Sequence, residues 1–351
     1  MRSNLFMSLV RKPGTGLISA AALVLLLAGC GGGSDSAAPP AVAASPPAST
    51  PVAAPPDVVS AYPAGSEELV VYTLLNAERN RCGFGLLAAN TQLDAAAKAH
   101  ADYQLINNRN SHLEDPSVTE GFTGVDPETR IRAQGYNNVG GVTDEYAFFT
   151  SSSPFRSARG LGEIAIRSLL NAPYHLNGLM TGFRDVGIAV RSTGDIGRGA
   201  NGAFVQINAA YTASAGLQLL GAADVKTYPC DGAIGINRLL SNESPNPVPG
   251  RDLNANPLGS TVYIAVREGN RLAITTAFIT DGTTGQNVIL RVPVTSSNDP
   301  YGPCATGCFK ANQAYIVADK PLQPDNAYIV RITGTNNGTA FSRTFTFTTG
   351  S

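Results

Sequence analysis

Only three histidines occur in 351 residues, at His100, His112 and His175. Histidine titrates near neutral pH, and neutral imidazole is a good zinc ligand. Two imidazoles with one carboxylate can hold Zn²⁺ and leave a coordination position for water, while a His and Glu pair can move protons unaided. The three residues are far apart in sequence and show no HExxH-like spacing. Neither a serine nor a cysteine stands in a nucleophile motif, and no glycine-rich phosphate loop follows a strand. His112 lies in "SHLEDPSVTEGFTG" (111–124), where a helical pattern gives way to a polar loop. His100 shares a helical face with Leu93, Ala97 and Ala101, the placement of a packed core histidine.

Cysteine provides the second source of chemistry. The first 29 residues have a basic start (Arg2, Arg11, Lys12) and an apolar run from Leu17 to Ala28, too short to span a bilayer. The run ends in Leu27-Ala28-Gly29-Cys30, which resembles a bacterial lipoprotein signal. That resemblance implies cleavage before Cys30, its lipidation, and a membrane anchor. With Gly31 following Cys30, it implies the outer membrane of the cell envelope. Four cysteines remain, an even number in an exported chain. Cys304 and Cys308 are near enough to bridge within "CATGC", which leaves Cys82 to pair with Cys230. Two other pairings stay open, as does a zinc site made of all four thiolates.

The elements that must position these groups follow from composition. Residues 30–60 are mostly Gly, Ala, Ser, Pro and Val, with seven prolines and two charges, so they form a tether and not a domain. As polyproline-like chain the tether reaches on the order of 90 Å. Cleavage of residues 1–29 removes three cations and no acid, leaving 22 Lys plus Arg against 26 Asp plus Glu, net −4. No dense basic run supports a nucleic-acid partner.

About 290 residues remain and suit two domains, 61–228 and 229–351. In the first, a helix in "SEELVVYTLLNAERNRCG" places Val70, Leu74 and Ala77 on one face and stops at Gly83. A second helix follows with Thr91 and Asp94 in capping-box spacing. A short third has Asp126 as N-cap, Pro127 in its first turn and Gly135 as its stop, and a fourth runs from about Arg159 to Asn171. "DVGIAV" and "AFVQINAAY" read as strands. The second domain offers "TVYIAVR", "RLAITTAFIT", "NVILRVPV", "AYIVAD", "AYIVRITG" and "SRTFTFTTG", at the spacing of a β-sandwich. It resembles bacterial Ig-like domains, notably in "PLQPDNAYIVRITG" and the closing "FTFTTG", and its expected role is a spacer or adhesion module.

From Leu69 to Thr212 the chain resembles a bacterial CAP domain (SCP-like, of the cysteine-rich secretory and pathogenesis-related superfamily). The marks are "LLNAERNRCGFGLL", "NTQLDAAAKAHADY", "SHLED", "GFTG", "RIRAQGY" and "LLNAPYHLNGLM", followed by "VGIAV". The implied fold class is α+β, a CAP α-β-α sandwich followed by an all-β Ig-like sandwich. The family gathers two histidines and two glutamates in one open cleft. His112 and His175 match its histidines, and Glu145 in "TDEY" matches one glutamate, with Tyr146 where asparagine usually follows. Ser168–Ala172 carries no acid where the second glutamate is expected, and Glu163 lies several residues earlier as the candidate replacement.

The resemblance implies a non-enzymatic protein that binds a lipid or other small hydrophobic molecule in this cleft, with His112 and His175 as the zinc ligands if metal is held. The alternative is a metal-dependent hydrolase of envelope or extracellular polymer that uses His112, Glu145 and His175. A third reading makes the Ig-like module the contact for another envelope protein.

Overall fold

Helix α1 (Glu67–Cys82) begins at Ser66, whose hydroxyl accepts the Leu69 N–H, and ends at Gly83 in the left-handed region at φ 75°. Glycine fits there without a Cβ penalty. Of the expected face Ala77 is buried, while Val70 and Leu74 are half-buried; the most enclosed line runs through Val71, Leu75, Arg79 and Cys82. Arg79 is the largest of these side chains. Its guanidinium is fully enclosed and donates to the carbonyls of Phe84, Gly85, Leu179 and Thr181.

The computed structural model describes residues 62–150, 160–197, 202–302 and 308–351; the signal segment, Cys30, the tether and Cys304 lie outside the described residues. After β1 (Ala88–Ala89), α2 (Thr91–Asn107) is capped by Asn90, not by Thr91. The Asn90 side chain accepts from Gln92 and Leu93, while Asp94 is drawn away to Tyr62 and the Ile188 N–H. The third helix, α3 (Pro127–Ala133), has the expected Asp126 cap and closes a capping box with Thr129. The helix expected over 159–171 is α4 (Leu161–Leu169), and a separate helix follows it, α5 (Pro173–Met180). Pro173 has no N–H to lose at a helix start and divides the two.

The first sheet has the order β1-β3-β4-β2, with β2 (Val139–Thr150), β3 (Asp185–Ser192) and β4 (Gly202–Thr212). Side chains alternate across a strand, and β4 sorts its neighbours accordingly. Phe204 and Ala210 pack with residues of α2 and α3, such as Ala101, Leu105 and Ile131. Val205, Ile207 and Ala209 join Val71, Ile166 and Leu176 from α1, α4 and α5. Helices therefore cover both faces of the sheet. Among the described strands β2 lies at one edge, a 12-residue strand with Gly140 and Gly141 near its start and two acids at its centre. Those residues hid it from propensity.

Two further four-stranded sheets share one apolar core. One has the order β5-β7-β10-β9: β5 (Val225–Tyr228), β7 (Thr261–Val266), β9 (Val294–Thr295) and β10 (Gln313–Val317). The other has the order β6-β12-β11-β8: β6 (Ala233–Ile236), β8 (Leu272–Asp281), β11 (Ala327–Asn336) and β12 (Thr339–Thr349). The segment "NVILRVPV" is not the strand expected of it. It bridges Thr280 through Asn287 and then Ala318 through Leu290, so it crosses between sheets and joins neither ladder for long. Cys82 and Cys230 are disulfide-bonded over a separation of 148 residues. The described residues fall within one compact unit, a mixed α+β chain. Among them no helix is long and apolar enough to cross a membrane.

Candidate functional site

The site is organised by two adjacent residues of β2. Asp144 and Glu145 point to opposite faces of the strand, and each holds one histidine. Asp144 Oδ2 lies 3.0 Å from His112 Nδ1 on the face shared with α2 and α3. Glu145 Oε2 lies 2.6 Å from His175 Nδ1 on the α5 face. Because β2 is the sheet edge, the two rings meet around it with centroids 6.0 Å apart. The structure thus brings His112, Glu145 and His175 together and adds Asp144, which sequence reading missed.

His112 sits on an irregular loop that buried charge holds in place. Glu114, two residues on, is 1% exposed; it accepts from Thr123 and Gly124 N–H groups and pairs with His100 Nδ1 at 2.9 Å. His100 is indeed enclosed, and its partner comes from the same loop. Arg130 of α3 donates to the His112 carbonyl at 3.1 Å and places Nη2 3.4 Å from Asp144 Oδ2 and Nε 3.9 Å from Glu114. Those last two nitrogens make no directed hydrogen bond, so Arg130 serves Asp144 and Glu114 as nearby charge. Asp144 Oδ1 accepts from Gln206, and from Asn208 once its amide nitrogen faces the carboxylate, at 2.7 Å.

These contacts set the charge of the pair. Burial opposes ionisation of Asp144, but His112 and then Arg130 outweigh it and hold its carboxyl below the ordinary 3.8. Burial likewise opposes the His112 cation; the hydrogen bond and charge of Asp144, with Glu145 behind, raise it above 6.5. The sequence carried a signal for this brace in Glu114 of "SHLED" and Arg130 of "RIRAQGY", two opposite charges that the fold encloses together.

His175 is on α5, with its side chain 12% exposed. Glu145 reaches it because Gly178, one turn on, leaves space: a Cβ there would overlap Glu145 Oε1. Thr143 Oγ1 donates to the same oxygen. Glu163 is placed elsewhere. Its Oε1 accepts from Arg167 at 2.8 Å, and Arg167 in turn donates to the Gly235 carbonyl.

An aromatic row leads away from the histidines. His112 and Tyr146 have centroids 4.7 Å apart, Tyr146 and Phe204 5.7 Å, and Phe204 and Phe148 4.6 Å. Tyr146 and Phe148 follow Asp144 at two-residue intervals on β2, and Phe204 faces Phe148 across the β2–β4 ladder. Phe148 is 39% exposed and Leu113, beside His112, 55%. Tyr146, which replaces the expected asparagine, is therefore the first rung of an open apolar strip. Burial and then the charges of Asp144 and Glu145 push its phenol up to about 12, so it is a neutral hydroxyl.

No protein-family model matches the sequence, and no curated protein matches it. Among solved structures it is similar to an outer surface protein of Borrelia burgdorferi, at TM-score 0.33 and 16% identity, over 43% of this chain and 96% of that one. It is also similar to an extracellular protein containing an SCP domain from Bacillus anthracis str. Ames, at TM-score 0.32 and 18% identity, over 42% of this chain. The alignment spans 40% of that protein's length.

The donor set at the histidines fits a metal only as two imidazoles. Both Nδ1 atoms are taken by carboxylates, which orient the rings and leave the Nε2 atoms for a ligand. Glu145 is committed to His175 and Thr143. Among the described residues no group of three or more His, Cys, Asp or Glu side chains is placed to hold a metal ion.

Proposed function

We propose that this chain is an exported, lipid-anchored CAP-like binding protein whose ligand lies at the edge of β2. The polar end of the ligand meets His112 and His175, and its apolar body lies along Tyr146 and Phe148. The observation that carries this reading is the row of rings that continues from the paired histidines into solvent-open Phe148. The order of CAP-like motifs and the helices on both faces of the first sheet support the family part. Cys30 and the tether support the anchor.

The test is retention from a total lipid extract of bacterial envelope, followed by re-isolation, solvent extraction and mass spectrometry. Wild type should retain a small set of amphiphilic species, and Tyr146→Ala and His112→Ala should each retain at least about fivefold less, as loss of one buried contact implies. Retention of none, or equal retention by all three, rejects the reading.

A second reading is favoured by the held Nδ1 atoms: a metal-dependent hydrolase of envelope or extracellular polymer. His112 and His175 would hold Zn²⁺, with Asp144 and Glu145 orienting the rings. The metal would supply Lewis acidity at a substrate carbonyl. Zinc titration calorimetry on wild type, His112→Ala and His175→Ala decides it, and the absence of binding by wild type ends it.

A further inference from the structure

Helix α5 starts without a cap of its own. Ala172, at the N-cap position, has no side-chain acceptor, yet the first-turn N–H groups are enclosed and need partners. A carboxylate from far along the chain meets them. Glu243 Oε1 accepts the Tyr174 N–H at 2.8 Å across 69 residues, and the His175 N–H is directed at the same carboxyl. α4 follows the same pattern, since Gly160 cannot cap it and Glu67 Oε2 accepts from Gly162 N at 2.7 Å.

Glu243 differs from Glu67 in its surroundings. It is 8% exposed, and its second oxygen is buried with no hydrogen-bond partner. An orphaned carboxyl oxygen is costly and calls for a reason. The reason lies in what it touches. The turn it caps is the one that carries His175, and the negative charge of Glu145 is close enough to act on it. Other groups from the same half fasten α5 and the residues before it. Tyr174 donates to Asp299 at 2.9 Å, Tyr263 donates to Asn177 at 3.3 Å, and the Thr261 N–H donates to Asn171 Oδ1 at 2.8 Å.

We propose that Glu243, supplied by the β-sandwich half, is a positioning residue of the histidine cleft that sets the first turn of α5 and thereby the meeting of His175 with Glu145. The sandwich then completes the site and is more than a spacer. Burial first, and Glu145 after it, favour the neutral carboxyl, against the opposing pull of the Tyr174 and His175 N–H groups. Glutamine is therefore the conservative variant, able to accept from the helix in the same way. The role in positioning is independent of ligand binding; its consequence for binding rests on the proposed function.

The experiment follows both cleft histidines by NMR at a single pH in the full chain, comparing wild type with Glu243→Gln, Glu243→Asp and Glu243→Ala. The readouts are the His175 ring shifts and the proton shared between His175 Nδ1 and Glu145. Glu243→Ala and Glu243→Asp should move the ring shifts and lose that proton signal to exchange. Glu243→Gln should keep both, and the His112 ring shifts should stay in place in all forms. If Glu243→Ala does not fold, the Asp and Gln variants carry the comparison. Lower thermal stability with unmoved His175 signals would make Glu243 an ordinary structural residue and overturn the proposal. Lipid retention separates the two readings. Moved His175 signals with no lipid retained by wild type leave positioning intact and reject the binding function. Unmoved signals with lipid retained by wild type do the reverse.

Discussion

The two histidines are held by different parts of the molecule. His112 rides on a loop, yet every group that fixes it comes from residues 100–208: Glu114, Arg130, Asp144, and the amides behind Asp144. His175 rides on a regular helix, yet that helix takes its cap and several of its anchors from residues 243–299. Irregular backbone can thus be locally determined, while a regular helix depends on distant chain. An eight-residue helix is too short to be stable alone, whereas a carboxylate that satisfies two loop N–H groups and pairs with an enclosed imidazole needs no help from beyond its own sheet.

The largest test of this contrast is truncation. A chain ending at Ala223 lacks β5, the Cys82–Cys230 bridge and Glu243, and it uncovers the apolar side of α1 and α5. It should show no cooperative thermal transition by circular dichroism. A truncated chain that melts cooperatively with both histidines in dispersed NMR positions would break the comparison.

Glu114→Ala acts on the other side. It leaves Arg130 and His100 enclosed without their carboxylate and should cost about 3–5 kcal/mol in urea unfolding. In the folded population the His112 signal should move and the His175 signal should not.

Gly178→Ala is smaller and opposite in its target. The added methyl meets Glu145 and Thr143, so the Glu145 carboxylate or α5 must give way, at about 1–3 kcal/mol. Here the His175 ring signals should move in the NMR spectrum, with those of His112 unchanged.

The smallest effect is the pH response of the His112–Asp144 pair. Its His112 value is raised, so that contribution to stability is complete below 6.5 and is lost as pH rises through the folded value. Its Asp144 value is depressed, so that contribution is present above 3.8 and is lost as pH falls through the folded value. The pair should therefore help most between those limits. In Asp144→Asn the burial and Arg130 effects are left opposed only by Glu145, and the His112 midpoint should fall to 6.5 or below by NMR.

Helix starts and stops were legible where one residue decides them. Gly83, Asp126 and Pro127 all act as local chemistry requires. Asn90 took the cap from Thr91 because Asp94 had a better use at Tyr62 and Ile188, a choice visible only after β3 packs beside α2. β2 was hidden because edge strands tolerate glycine and charge that a central strand would not. "NVILRVPV" was misread for the opposite reason. Its alternation suits a strand, but its path crosses from one sheet to the other.

By itself the sequence determined which groups are available: three histidines, four cysteines beyond Cys30, and the apolar periodicities of both halves. Those depend on residue type and on neighbours a few positions away. Tertiary structure decided which acid serves which histidine. Strand alternation sends Asp144 and Glu145 to opposite faces, the place of β2 at the edge of the described sheet lets the two rings approach, and Gly178 admits Glu145. It also decided that Glu243 caps α5, since the separation of 69 residues is closed only by the packing of the sandwich against that helix.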